Sequence, residues 1–170
     1  MQNSNQSNYR ILGIDPGTLV TGIGIIDIVT KGKIQLCMYD AIRTRRSDSL
    51  ALRLKDIYEG IIYFLEKYSP QAVAVEDIFY SENIKTAIVM GQARGVSLLG
   101  PVLKNIEIAE YSPREVKMAV VGNGGASKNQ VQFMVKNILK LKDDIHPADA
   151  ADALAVAICH FHRSGKIKSL

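Results

Sequence analysis

Only two cysteines occur in the chain, Cys37 and Cys159, and they stand far apart. They form neither a Cys-x-x-Cys pair nor a repeated spacing, which argues against a disulfide framework or a zinc knuckle; two buried, reduced thiols are expected. Met1 to Asn8 lacks the apolar core of a secretory signal and reads as a disordered polar tail. No run is seen to approach the ~20 apolar residues of a membrane span, so no membrane partner is expected and the default address is the cytoplasm. Repeats and low-complexity linkers are also missing. With 170 residues there is room for one domain with a full core, and not for a second large one. The expected organisation is a tail over 1–8, a single domain over 9–164 and a C-terminal tail over 165–170.

Charge is present in modest excess. The net charge is +4 and the pI is near 9.0, which favours a polyanionic partner only weakly. Its weight rises if some acidic residues are neutralised by metal, because the remaining surface is then more positive than the formal count.

Apolar patterning gives the elements. Tyr9 to Ile14 is β-prone, Asp15-Pro16-Gly17-Thr18 is a turn, and Val20 to Val29 resumes a strand, so a hairpin is predicted. A turn at Lys31-Gly32-Lys33 leads into a third strand, Ile34 to Ile42. Leu50, Leu54, Ile57, Ile61 and Leu65 recur at helical spacing, between a cap at Ser47 or Ser49 and a stop near Ser69-Pro70. Ala72 to Glu76 has the continuous apolar run of a central strand. A helix rich in small residues follows over Ile84 to Val102, then a strand over Ile106 to Ala109. Ser112-Pro113 and Ser127 start two further helices on either side of a flexible break at Val121 to Gly125, and Pro147 opens a last helix to about His162. The order β-β-β-α-β-α-β-α-α-α implies an α/β fold: a mixed five-stranded sheet with helices on both faces.

Four carboxylates then need explaining. Asp15 and Glu76 close apolar strands, and Asp149 and Asp152 lie one helical turn apart in a run of alanines. A turn-starting role accounts for Asp15, and favourable interaction with the helix dipole accounts for Asp149. Glu76 is harder to explain, since a carboxylate ending a buried strand needs a partner to offset its desolvation. The dipole covers Asp152 less well than Asp149, because its alanine neighbours imply tight packing. If the fold gathers the four, their repulsion requires cations, and a carboxylate nest holding Mg²⁺ or Mn²⁺ is a site for phosphoryl chemistry. His146, one turn before Asp149, is a secondary candidate whose ordinary role would be a cap or a solvated side chain.

These residues sit in four segments: Ile11-Leu-Gly-Ile-Asp15-Pro-Gly-Thr, Val75-Glu76-Asp-Ile-Phe79, Gly91-Gln-Ala-Arg-Gly95 and Ala148-Asp149-Ala-Ala-Asp152-Ala-Leu-Ala-Val-Ala. In order and separation they resemble the RuvC family of Holliday-junction resolvases, over nearly the whole chain. The resemblance implies a ribonuclease H-like fold, a homodimer and Mg²⁺-dependent incision of four-way DNA junctions. Asp15, Glu76, Asp149 and Asp152 would be the metal-binding catalytic carboxylates, with two Mg²⁺ ions per site and Mn²⁺ as a substitute. It also implies ends carrying 5′-phosphate and 3′-hydroxyl, and suggests a branch-migration motor as partner.

The same likeness makes Phe79 an aromatic that wedges into the junction centre, with Tyr80 a second candidate. Lys117 and Lys128 match basic positions, and Arg94 lies in a matched helix. Taken alone, each lysine is more often a solvated surface charge, and Arg94, Arg43, Arg45 and Arg46 could contact DNA arms or simply maintain solubility. Ile84 to Val102 is the candidate dimer interface. Two other readings compete: Asp15-Pro-Gly-Thr followed by Gly22 also resembles the first phosphate loop of actin-like and sugar-kinase ATPases, and a catalytically silent junction-binding module would share the fold.

Overall fold

The computed structural model describes residues 9–29, 32–77 and 83–164. The tails expected at 1–8 and 165–170, and the candidates Phe79 and Tyr80, lie outside the described residues. The elements run β1 (Tyr9–Asp15), β2 (Val20–Val29), β3 (Lys33–Arg43), α1 (Leu50–Tyr68), β4 (Ala72–Glu76), α2 (Ile84–Leu103), β5 (Glu107–Tyr111), α3 (Pro113–Val121), α4 (Lys128–Ile138) and α5 (Ala148–Arg163). The strands form one five-stranded sheet in the order β3-β2-β1-β4-β5, antiparallel across β1, β2 and β3 and parallel from β1 through β4 to β5.

Alternation along the strands sorts their side chains onto two faces. Leu12, Ile14, Ile23, Ile25, Val73 and Val75 pack on one face with Ile57, Ile61, Phe64 and Leu65 of α1 and Ala93 of α2. Ile11, Ile26, Ile28 and Ala74 pack on the other with α3, α4 and α5. Residues of even register relative to Ile11 and Ala74 therefore face α5: Gly13 and Asp15 on β1, Gly22 and Gly24 on β2, and Glu76 on β4.

Those glycines decide how near α5 can come. A Cβ built on Gly13 would lie 2.0 Å from the carbonyl oxygen of Ala153, one on Gly22 would lie 2.0 Å from that of Asp149, and one on Gly24 would lie 2.6 Å from the amide of Leu154. Helix backbone thus rests directly on strand backbone. The alanines of α5 serve the same approach, and every residue from Ala153 to His160 is buried.

Caps fix the remaining helix starts. Ser49 caps α1, and capping boxes join Ser112 to Glu115 and Ser127 to Gln130. Gly122 ends α3 with φ +79°, a conformation that suits glycine, and Gly125 donates its amide to Asn123 Oδ1 at 2.9 Å. The segment expected to be a flexible break is thus a hydrogen-bonded turn.

Two further expectations are corrected. Cys37 is half-buried, since β3 is an edge strand, whereas Cys159 is buried as expected. By length and composition alone α2 is apolar enough to cross a membrane, since Lys85 and Arg94 interrupt the run without breaking it. In this fold α2 packs along α1 and buries Ala93, Ser97, Gly100 and Pro101. The β5 strand begins and ends one to two residues later than its apolar pattern suggests.

Gly22→Ala is expected to destabilise the protein by roughly 1–3 kcal/mol, the range for overpacking a filled interior, because the new methyl meets backbone that cannot rotate away. Urea unfolding would measure this, and an unchanged midpoint would show that α5 does not sit on the sheet as described.

Candidate active site

Asp15, Glu76 and Tyr111 end β1, β4 and β5 at the same edge of the sheet, where the parallel strands present their C-terminal ends. Asp15 and Glu76 share the α5 face through their register, and they are in side-chain hydrogen-bond contact. The first turn and a half of α5 lies over this edge because Asp149 is seated on Gly22, and the charges of Asp149 and Asp152 reach Asp15. Four carboxylates from three distant segments are therefore brought together.

Their protonation records the crowding. Burial, then the neighbouring Glu76 charge and then that of Asp152 push the Asp15 carboxyl up to about 9. Burial also raises Glu76 and Asp152, while hydrogen bonds from Asp15 and Lys128, respectively, partly oppose it. A neutral Asp15 donating to a Glu76 carboxylate is the arrangement that relieves the repulsion. Among the described residues no group of three acidic, histidine or cysteine side chains closes as a preformed metal cage.

Cationic groups line the same cleft. Lys128 Nζ lies 2.6 Å from Asp152 Oδ2, and it feels Asp15 and Asp149 as well. Lys117 lowers Glu76, and both lysines line a cavity of about 230 Å³ together with Glu76, Pro113, Val131 and Asp152. Lys128 is the first residue of α4, so free helix N–H groups point the same way. The exposed Arg43, Arg45 and Arg46 leave β3 at this edge, where Thr44 donates its amide to Leu19 O at 3.0 Å and its hydroxyl to Thr18 O at 2.7 Å.

Two candidates lie elsewhere. Arg94 of α2 is held between Asp77 and Glu110, so its charge is spent on tying α2 to the end of β4 and to β5. His146 lines a separate cavity beyond the N-terminus of α5 rather than the carboxylate cleft. What the sequence reading missed is that second cavity, where Phe133 is 64% exposed. The signal was available in phase: Val131, Val135 and Leu139 mark the buried side of α4, and Phe133 falls off it.

A carboxylate cluster at the C-terminal edge of a mixed sheet, covered by a helix and rimmed with lysines, defines a class: ribonuclease H-like hydrolases that act on phosphodiesters. The model of the family described as crossover junction endodeoxyribonuclease RuvC matches residues 11–160. A protein of that name from Syntrophomonas wolfei is 50% identical over 90% of this chain and 88% of its own length, and one from Desulforamulus reducens is 46% identical over 93% and 99%. The Thermus thermophilus RuvC structure superposes with TM-score 0.82 at 33% identity, covering 90% of this chain and 93% of that one. The same protein in complex with Holliday junction substrate gives TM-score 0.83 at 28% identity, covering 94% and 97%. The chain belongs to the RuvC family of crossover junction endodeoxyribonucleases. Its match includes the paired aspartates of α5 and sets the ATPase reading aside.

In metal-free buffer Asp15→Asn should be more stable than wild type. A carboxyl raised from 3.8 to about 9 must take up a proton on folding at every pH between, so its burden grows as pH rises through that window. Asparagine avoids it and still donates to Glu76. A gain of at least about 1 kcal/mol, or ~2–4 °C in Tm, is expected at neutral pH and should vanish below pH ~4. Thermal scans at two pH values check it, and no gain at neutral pH would contradict the charge crowding.

Proposed function

We propose that this protein resolves four-way DNA junctions by paired, symmetric, metal-dependent hydrolysis of phosphodiesters, leaving 5′-phosphate and 3′-hydroxyl ends. The observation that carries this reading is the gathering of Asp15, Glu76, Asp149 and Asp152 at one sheet edge between Lys117 and Lys128. All four carboxylates are present, which speaks against a silent binding module.

The residues fit a pair of Mg²⁺ ions, with Mn²⁺ as substitute. Hard carboxylate oxygens are the donors these cations prefer, and an Asp15 held neutral at about 9 marks a nest short of positive charge. Asp15, Glu76, Asp149 and Asp152 would hold the ions, which supply Lewis-acid stabilisation of the attacking and leaving oxygens. Asp15 would release its shared proton when the ions enter. Lys128, now paired with Asp152, would be freed to meet a DNA phosphate beside Lys117 and the α4 amides. Arg43, Arg45 and Arg46 would extend that basic rim along a duplex arm.

Two nicks across a roughly two-fold junction call for two copies of the site. The α2 helix supports a homodimer: Ile84, Ile88, Leu99 and Val102 are exposed, and nothing lies within 4 Å of a Cβ built on Gly91 or Gly95. Their spacing of three and four residues makes one seam, and the glycines permit close helix approach. The family likeness suggests a branch-migration motor as further partner, and the cytoplasm is the compartment proposed.

Asp152→Asn is expected to abolish Mg²⁺-dependent cleavage of a synthetic four-way junction while leaving binding within a few-fold; normal cleavage would remove Asp152 from the chemistry. Cleavage of linear duplex by wild type as fast as of junctions would leave a nuclease but not a resolvase. Gly95→Glu, which has open space around it, should convert a dimer to a folded monomer in analytical ultracentrifugation. An unchanged dimer mass would move the interface away from α2.

A further inference from the structure

The second cavity, of about 350 Å³, is lined by Asn129, Gln132, Phe133 and Lys136 of α4, by Asp144, Ile145 and His146 of the α4–α5 connection, and by Ala148 at the start of α5. It adjoins the carboxylate cleft through two adjacent pairs of residues. Asn129 follows Lys128, which pairs with Asp152, and Ala148 precedes Asp149. Both cavities are thus bounded by residues of α4 and α5.

The chemistry of the lining selects what enters. Lys136 Nζ is bound to Asp144 Oδ1 at 2.7 Å, so the one lysine in the wall is already neutralised and offers little to a phosphate. What remains is a solvent-facing Phe133 ring, the imidazole of His146, and the amides of Asn129 and Gln132, which can both donate and accept. Ring faces for stacking and amides for an edge are the requirements of an unpaired nucleobase. An exposed phenylalanine on a helix otherwise facing solvent with Lys, Asn and Gln has no packing role to account for it.

We propose that this cavity receives a base unstacked from the DNA strand beside the scissile phosphate, with Phe133 as its stacking platform and Asn129 and Gln132 as its edge readers. The proposal rests on the reading of the chain as a junction endonuclease. It makes Phe133 a positioning residue that sets which nucleotide stands at the carboxylates, and Asn129 and Gln132 contributors to sequence preference.

The test uses full-length protein and synthetic junctions carrying 2-aminopurine at successive positions flanking the cleavage site. Wild type should change the fluorescence at one flanking position on binding. Phe133→Ala should lose that change and roughly tenfold in junction affinity, as expected for one stacked base, whereas Phe133→Tyr should retain both. Asn129→Ala should relax base preference at that same position without losing the signal. If wild type cleaves junctions and Phe133→Ala matches it in fluorescence and affinity, the cavity is not a base site. If wild type cleaves no junction, the reading beneath the proposal fails and the proposal with it.

Discussion

Helix α5 touches the sheet backbone at Gly13, Gly22 and Gly24, with no side chain between them. A layer of ordinary side chains would hold helix and sheet about 10 Å apart, too far for carboxylates on the helix to meet those at strand ends. Removing the Cβ atoms lets Asp149 and Asp152 descend onto Asp15 and Glu76. The alanine-rich sequence of α5 is the other half of that fit, because it buries a helix closely on a sheet with little side-chain bulk. Fold and site thus depend on one contact. Two of the three glycines lie on β2 of the antiparallel β1–β2 hairpin, beside the parallel strands β1 and β4 that supply Asp15 and Glu76.

The resulting site is electrostatically unfavourable in the absence of cations. Two carboxyls share a hydrogen bond, burial raises three of the four, and Lys128 offsets only part of the charge. Stability is given up locally and recovered elsewhere, in the two large apolar clusters on either face of the sheet. This division has a functional meaning. A nest that repels itself binds cations strongly, and a lysine paired with an acid in the free protein is available to a phosphate once the acid finds another partner.

Much of this was legible in the sequence because the relevant patterns are local. Period-two alternation put Gly13 and Asp15 on one face, the continuous run before Glu76 marked a central strand, and Ser-Pro and Ser-Lys starts located α3 and α4. Tertiary pairing was not legible. Arg94 reads as a free basic residue until Asp77 and Glu110 are seen on both sides of it, and His146 reads as a neighbour of the acids because sequence distance ignores which side of the α5 N-terminus it occupies. Half-burial of Cys37 follows from strand order, which hydropathy does not encode. The membrane-length apolarity of α2 is masked in the sequence by Lys85, Arg94 and the small and polar residues between its apolar ones. Phe133 was within reach of a phase argument, yet it draws attention only when the cavity beside it is visible.

The central claim is that four carboxylates converge to hold cations at the edge of the sheet. Anomalous diffraction from crystals of the wild-type protein soaked in Mn²⁺ tests it most directly. The account predicts anomalous peaks bounded by Asp15, Glu76, Asp149 and Asp152, with Lys128 displaced from Asp152. Peaks confined to other acidic residues, or none at this edge with Lys128 still paired, would contradict it.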